Sequence, residues 1–184
     1  MNSDQIFEVL VQRQSERGYI DKPVEPEKLK RCLEAARMSP SACNAQPWKF
    51  IVVTDPQLKN QIAEYTNSGP LVSMNHFTRQ APLLVVIVRE SPNITSKIGS
   101  LLKDKHYTLM DIGIVALQFT LQAKAEGLGS CILGWFNEKK IKALLHIPKS
   151  KRAELIISIG YPSSKTLRPK IRKKFEEIVC YNRY

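Results

Sequence analysis

Arg13-Gln14-Ser15-Glu16-Arg17 sets two guanidinium groups and a hydroxyl at alternate positions. In an extended segment these three side chains project to one side. There they can form bidentate, charge-assisted hydrogen bonds to a phosphate or to a carbonyl edge. Lys170 and Arg172 repeat the alternate spacing in a basic tail. Taken alone, both groups also describe solvated polar chain. Ser39-Pro40-Ser41-Ala42-Cys43-Asn44-Ala45-Gln46-Pro47-Trp48 is different in kind, because two prolines seven residues apart forbid helix within it. Its Ser, Asn and Gln side chains either satisfy their own backbone as turn residues or face a ligand. A fourth stretch, Gly127-Leu128-Gly129-Ser130-Cys131-Ile132-Leu133-Gly134-Trp135-Phe136, is apolar and edged by glycines. Glycine in a strand marks close approach of something: another backbone, the Trp135 ring, or a flat ligand that hydrogen-bonds to the main chain. The stretch is not a dinucleotide fingerprint, since it follows a helix and precedes a strand, and no third glycine opens a helix.

The elements that must position these groups can be read from periodicity. Ile6, Val9 and Leu10 predict a short amphipathic helix ending before Arg13. Pro26 starts a second helix with Leu29, Cys32, Leu33 and Ala36 on its core stripe and Glu25 as a poor cap. Trp48 to Thr54 reads as a strand, and Asp55-Pro56 caps a helix whose inner face carries Leu58, Ile62 and Tyr65. Thr66 to Gln80, with Gly69-Pro70 and the polar Asn67, Asn75 and His76, is expected to be a mobile loop and a short irregular helix. Leu83 to Val88 is a continuous apolar run, the mark of a strand covered on both faces at the centre of a sheet. Asp104 to Glu126 is the longest helical segment, with Leu109, Ile112, Ala116, Phe119, Thr120 and Ala123 facing one side and Gly127 as the stop. Its further apolar residues, Met110, Ile114, Val115, Leu117 and Leu121, predict burial on nearly all sides, in the core or at a subunit interface, and Gly113 and Ala116 leave room for another helix. Asn137 caps a helix through Ile141, Leu144 and Leu145, and Leu155 to Pro162 is the last core strand. Phe175 to Tyr181 alternates enough for a terminal strand or an arm on a partner.

With 184 residues, 43% of them hydrophobic and 24% charged, the chain is expected to form one domain over residues 1–184, with an arm from about 163 to 184. No apolar run approaches the length of a membrane span, and residues 1–10 show no secretory signal, so a cytoplasmic location without a membrane partner is expected. The cysteines at 32, 43, 131 and 180 are far apart and contain no C-x-x-C pair, which argues against a zinc site or a disulfide scaffold. The formal net charge of +11 points to an anionic partner, and the excess is concentrated between Lys149 and Lys174. A basic nucleic-acid-binding domain is the alternative this charge raises. Against it, no recognition motif is present and the aromatic residues are not interleaved with the basic ones.

Taken together and in order, Arg13-x-Ser15-x-Arg17, Ser39 to Trp48, Gly127 through Phe136, and Ile159-Gly160-Tyr161-Pro162 followed by Lys170-x-Arg172 closely resemble the FMN-dependent nitroreductase family. The resemblance implies an α+β fold of three layers, a mostly antiparallel sheet flanked by helices, in a homodimer with two FMN sites shared between subunits. It implies that Arg13, Ser15 and Arg172 meet the phosphate and ribityl chain, that Gln14 between them is a further cofactor-binding residue, and that Arg17 and Lys170 lie beside the pyrimidine edge. Pro40, Ser41, Ala42 and Asn44 would be contributed by the second subunit, and Leu133, Gly134 and Trp135 would bring backbone to the flavin N5 region. The chain departs from the family in having Gly134 where several members carry an acid, and in lacking an Asn-x-x-Lys pair between Asn67 and Gln80. The implied activity is ping-pong hydride transfer from NADH or NADPH through FMN to a small electron-poor acceptor such as a nitroaromatic or a quinone, with no catalytic side chain needed. A family member that uses flavin non-reductively is the other reading the resemblance admits.

Overall fold

The computed structural model describes residues 2–67, 74–91 and 104–184. Helix α1 (Ser3–Gln12) is opened by a capping box in which the Asn2 side chain accepts from the Gln5 N–H at 2.9 Å and the Gln5 side chain accepts from the Asn2 N–H at 3.0 Å. Helix α2 (Pro26–Arg37) has its proline at the first turn and no side-chain cap from Glu25. Strand β1 (Trp48–Val53) leads to α3 (Pro56–Thr66), capped by the Asp55 carboxylate at 2.7 Å from the Leu58 N–H. A 3-10 turn at His76–Gln80 precedes β2 (Leu83–Arg89), and α4 (Tyr107–Ala125) follows. Gly127 ends α4 at a φ of 75°, where a side chain would be strained. Then come β3 (Gly129–Leu133), α5 (Glu138–Leu144), capped by Asn137 onto the Lys140 N–H, and β4 (Arg152–Gly160). Residues 68–73 of the expected Thr66–Gln80 loop lie outside the described residues.

The strands are ordered β1-β2-β4-β3, and every pairing is antiparallel. β2 is interior to the sheet, and its residues Leu83 to Val88 are all buried. Alternation then divides the core in two. Leu84, Val86, Val88 and Ile156 pack with Ile62 of α3, Ile141 of α5 and Phe77. Leu83, Val85, Ile87, Ile157 and Ile159 pack on the other face with Cys32 and Ala36 of α2 and Ile112, Val115, Phe119 and Ala123 of α4. This is the helix-sheet-helix α+β arrangement the sequence implies.

β3 is an edge strand, and the chain covers its open edge with the Arg13–Arg17 segment. Ser15 forms a parallel bridge to Ser130, with the Glu16 N–H donating to the Ser130 carbonyl at 2.9 Å. The same segment continues along the end of β4, where the Ile20 N–H meets the Tyr161 carbonyl at 3.0 Å and the Tyr19 hydroxyl lies 2.8 Å from Ser158 Oγ.

Two expectations are met only in part within a single chain. α4 is buried there on one side: Leu109, placed by periodicity on the inner face, is exposed, as are Met110, Ile114 and Leu117. A helix apolar around its whole circumference carries no record of which stripe meets the sheet. The tail shows no strand at Phe175–Tyr181; Phe175–Glu177 is a single 3-10 turn, and Ile171, Phe175, Ile178 and Tyr181 are exposed.

Candidate functional site

The helix-ending turn at Arg13 and the edge of β3 bring the first motif together with the second cationic pair, far apart in sequence. Lys170 Nζ donates to the Arg13 carbonyl at 2.6 Å and to the Leu10 carbonyl at 3.3 Å, completing acceptors left open at the C-terminus of α1. Burial, then the neighbouring charges of Arg13, Arg172 and Lys124, hold the Lys170 ammonium below the usual lysine range. Arg31, Arg37, Arg79, Arg89 and Arg152 each pair with a glutamate. Among the described residues, no carboxylate pairs with Arg13, Arg17, Lys170 or Arg172. Mutually repelling cations without a counter-charge are the donor set a phosphate dianion fits.

Arg13, Ser15 and Arg17 all lie around the buried Cys131 thiol of β3, as alternate residues of an extended segment should. Ser15 hydrogen-bonds to this thiol, and burial outweighs the nearby arginines and raises its pKa. Gln14 is engaged within the protein. Its side-chain amide donates to the Thr166 carbonyl at 3.1 Å and to Glu16 at 2.8 Å, and its oxygen accepts from the Arg168 N–H at 3.1 Å, so it straps the C-terminal arm onto the motif. Arg168, which spacing did not single out, donates to the Ser15 carbonyl. Lys170 groups with Arg13 at the α1 end, with Arg172 among its neighbouring charges.

The glycines resolve into separate cases. A Cβ on Gly129 would meet Glu16 Cγ at 2.5 Å, and one on Gly160 would meet Pro82 Cδ at 2.5 Å, so both make room for the protein itself. At Gly134 the nearest atom would be Leu155 Cδ2 at 3.9 Å, which leaves its outer side open. Leu133 is buried, and Trp135 is exposed with its carbonyl accepting from Asn75 Nδ2 at 3.2 Å. Asn75, at a φ of 66°, also donates to the Thr66 carbonyl.

The 39–48 connection is held by contacts within itself. The Gln46 N–H donates to Ser41 Oγ at 2.9 Å, the Asn44 N–H to the Ser41 carbonyl at 3.0 Å, and Gln46 Nε2 to Asn44 Oδ1 at 3.0 Å. Cys43 and Asn44, with φ of 52° and 51°, form a left-handed pair, and Gln46 at 45° follows the right-handed Ala45; each such residue costs on the order of 1 kcal/mol. Pro40 and Asn44 are exposed, and Ser41 and Ala42 half-buried. The loop sits against the start of α4, where Asp111 Oδ1 accepts from the Ala42 N–H at 3.1 Å. The cation cluster sits near Lys124 at the other end. Asp111 and Lys124 lie thirteen positions apart on the helix, about 20 Å along the axis.

A family model described as the nitroreductase family matches residues 10–161. The chain belongs to the nitroreductase family. The matched span contains the Arg13–Arg17 motif, the 39–48 loop and β3, and it stops before Lys170, which the Leu10 and Arg13 carbonyls hold, and before Arg172. An FMN-dependent nitroreductase from Clostridium difficile is 29% identical and superposes with a TM-score of 0.78, covering 96% of this chain and 98% of that one. NADH dehydrogenase from Thermus thermophilus is 25% identical, covering 93% of each protein. Iodotyrosine deiodinase from Thermotoga neapolitana is 24% identical, covering 97% of this chain and 98% of the deiodinase. This nitroreductase-family protein is thus a flavin-dependent oxidoreductase. Among its described residues no helix is long and apolar enough to cross a membrane, and no group of His, Cys, Asp and Glu could hold a metal ion.

Proposed function

We propose that the protein is an FMN-dependent NAD(P)H oxidoreductase of small electron-poor acceptors, built as a homodimer whose two sites each draw on both chains. The unpaired cation group of Arg13, Lys170 and Arg172 carries this reading, because a phosphate ester relieves its mutual repulsion. When bound, FMN supplies hydride acceptance from the nicotinamide and two-electron delivery to the acceptor. The chain's own residues bind and orient. Arg13, Lys170 and Arg172 neutralise the phosphate. Arg17, further along β3, is suited to stabilise negative charge on the reduced ring. The open outer side of Gly134 lets the main chain between Leu133 and Trp135 come close to a flat ring.

The shared arrangement is supported by α4. Its two ends carry the loop and the cation cluster about 20 Å apart, and its outer stripe of Met110, Ile114 and Leu117 is exposed. A Cβ on Gly113 would meet nothing within 4 Å, so a second helix has room to approach there. An antiparallel two-fold crossing of two α4 helices centred near the exposed Leu117 would bring the loop end of one to the cation end of the other. A deiodinase among the relatives leaves the acceptor open, with nitroaromatics, quinones and halogenated phenols as the classes to assay.

The purified protein should be yellow, release FMN on heating, and give parallel initial-rate lines when NAD(P)H and menadione are varied. Arg13→Glu and Arg172→Glu should fold yet come out colourless. Wild-type FMN content in both variants would overturn the phosphate assignment, and intersecting lines would overturn the shared-face mechanism.

A further inference from the structure

The internal hydrogen bonds of the 39–48 loop fix its shape, but they do not decide where that shape sits on the molecule. That falls to Asp111. It is 3% exposed, on the first turns of α4, and its Oδ1 accepts from the Ala42 N–H across 69 residues of sequence. Its other oxygen, Oδ2, is buried and has no hydrogen-bond partner, and the same holds for Ser39 Oγ at the start of the loop. A buried carboxylate with one hydrogen bond is a costly anchor. It is placed where a main-chain N–H at the head of a left-handed run would otherwise have no acceptor.

We propose that Asp111 is a positioning residue for the flavin site of the partner subunit: by holding the Ala42 N–H, it presents Ser41, Ala42 and Asn44 to the second chain in the one arrangement that fits. This rests on the shared-site reading above. The mechanism is hydrogen-bond acceptance at Oδ1, which asparagine can reproduce with its own side-chain oxygen and alanine cannot. The donor can be removed from the other side as well, because Ala42→Pro deletes the N–H, and the extended Ser41 before it (φ −147°, ψ 156°) tolerates a following proline.

FMN titration of the apoprotein, followed by quenching of flavin fluorescence, tests this. Asp111→Ala and Ala42→Pro should each weaken FMN binding about tenfold, the double variant should be no weaker than either single one, and Asp111→Asn should remain within about threefold of wild type. Wild-type FMN affinity in Asp111→Ala, additive losses in the double variant, or a loss in Asp111→Asn equal to that in Asp111→Ala would each overturn the proposal. Circular dichroism and dimer mass should be unchanged across the set, and if Asp111→Ala alone loses its fold, the Ala42→Pro titration decides. A second arm locates the effect. In heterodimers of Asp111→Ala with Arg172→Glu, one site collects both defects and the other none, so half the sites of each verified heterodimer should bind FMN like wild type. No intact site in those heterodimers would overturn the assignment to the partner's flavin. If Arg172→Glu alone binds FMN normally, it is the phosphate reading that fails, and the Asp111 titrations still judge the anchor.

Discussion

Replacing Arg17 by alanine should leave FMN bound but lower its two-electron potential by tens of millivolts, since one partly solvated charge near the ring is worth on the order of 1–3 kcal/mol. Spectroelectrochemistry reads this directly, and an unchanged potential removes Arg17 from the pyrimidine edge. A different residue sets an alkaline limit on stability. Burial pushes the Cys32 thiol up to about 12 from an ordinary value of 9.0. Between these values the unfolded chain has released a proton that the folded chain retains, so stability is full below pH 9 and falls as pH rises toward 12. The slope from this one group approaches 1.4 kcal/mol per pH unit at most, or about one decade in the folding constant. Urea titrations at pH 8, 9.5 and 10.5 should show a shallower decline in Cys32→Ala than in wild type, although Cys32→Ala starts lower. Equal slopes would show that the thiol is not protected. At this scale the sequence showed which residue types could grip a phosphate, because spacing along a strand is local. It did not show that Gln14 is taken up by the arm, that Arg168 reaches Ser15, or that Asp111 meets Ala42. These contacts join residues 69 to 154 positions apart, and no periodic signal records them.

Helix α4 is the element on which sequence and structure part most instructively. Its existence and its glycine stop were plain, and so was β2, whose unbroken apolar run marks a strand covered on both faces. The orientation of α4 was not, because residues on its two sides are equally apolar and only the packed sheet chooses between them. Single charges at Ile114 and Leu117 should therefore act on assembly rather than on the core. Ile114→Glu with Leu117→Glu should give a folded monomer by light scattering and lower FMN occupancy at least tenfold, whereas Phe119→Ala, in the core, should cost about 3–5 kcal/mol of stability. A fully dimeric, yellow double variant would place the interface elsewhere. The short α1 has the same character, with Ile6, Phe7, Leu10 and Val11 all exposed on a well-capped helix. Amphipathic spacing made that helix legible, but it could not say that Ile6, Phe7, Leu10 and Val11 would stay exposed among the described residues of one chain.

For the whole molecule, the decisive measurement is complementation. Arg13→Glu subunits mixed with subunits altered at both Ser41 and Asn44, each inactive alone, should on random reassembly recover about one quarter of wild-type FMN sites, since half the dimers are mixed and each mixed dimer keeps one intact site. Verified heterodimers without flavin would show that each site is made by one chain, and the 39–48 loop would then be a plain connection. The net charge of +11 also has a structural distribution. Lys151 and Arg152 are paired with Glu90 and Glu138 at the start of β4, while Arg168 and Lys170 are turned onto the Arg13 segment, so the basic run does not form one continuous stripe. That separation has a temporal side. The Arg13 carbonyl and the Lys170 ammonium that closes on it are 157 residues apart. A ribosome thus delivers every strand of the sheet before it delivers the residues that complete the cation cluster. If Lys170 and Arg172 hold the cofactor phosphate as proposed, a nascent chain can bury its core before it can hold that cofactor, and cofactor capture then becomes a stamp that translation has run past residue 172. Products of premature termination after β4 would carry a sound fold and no colour.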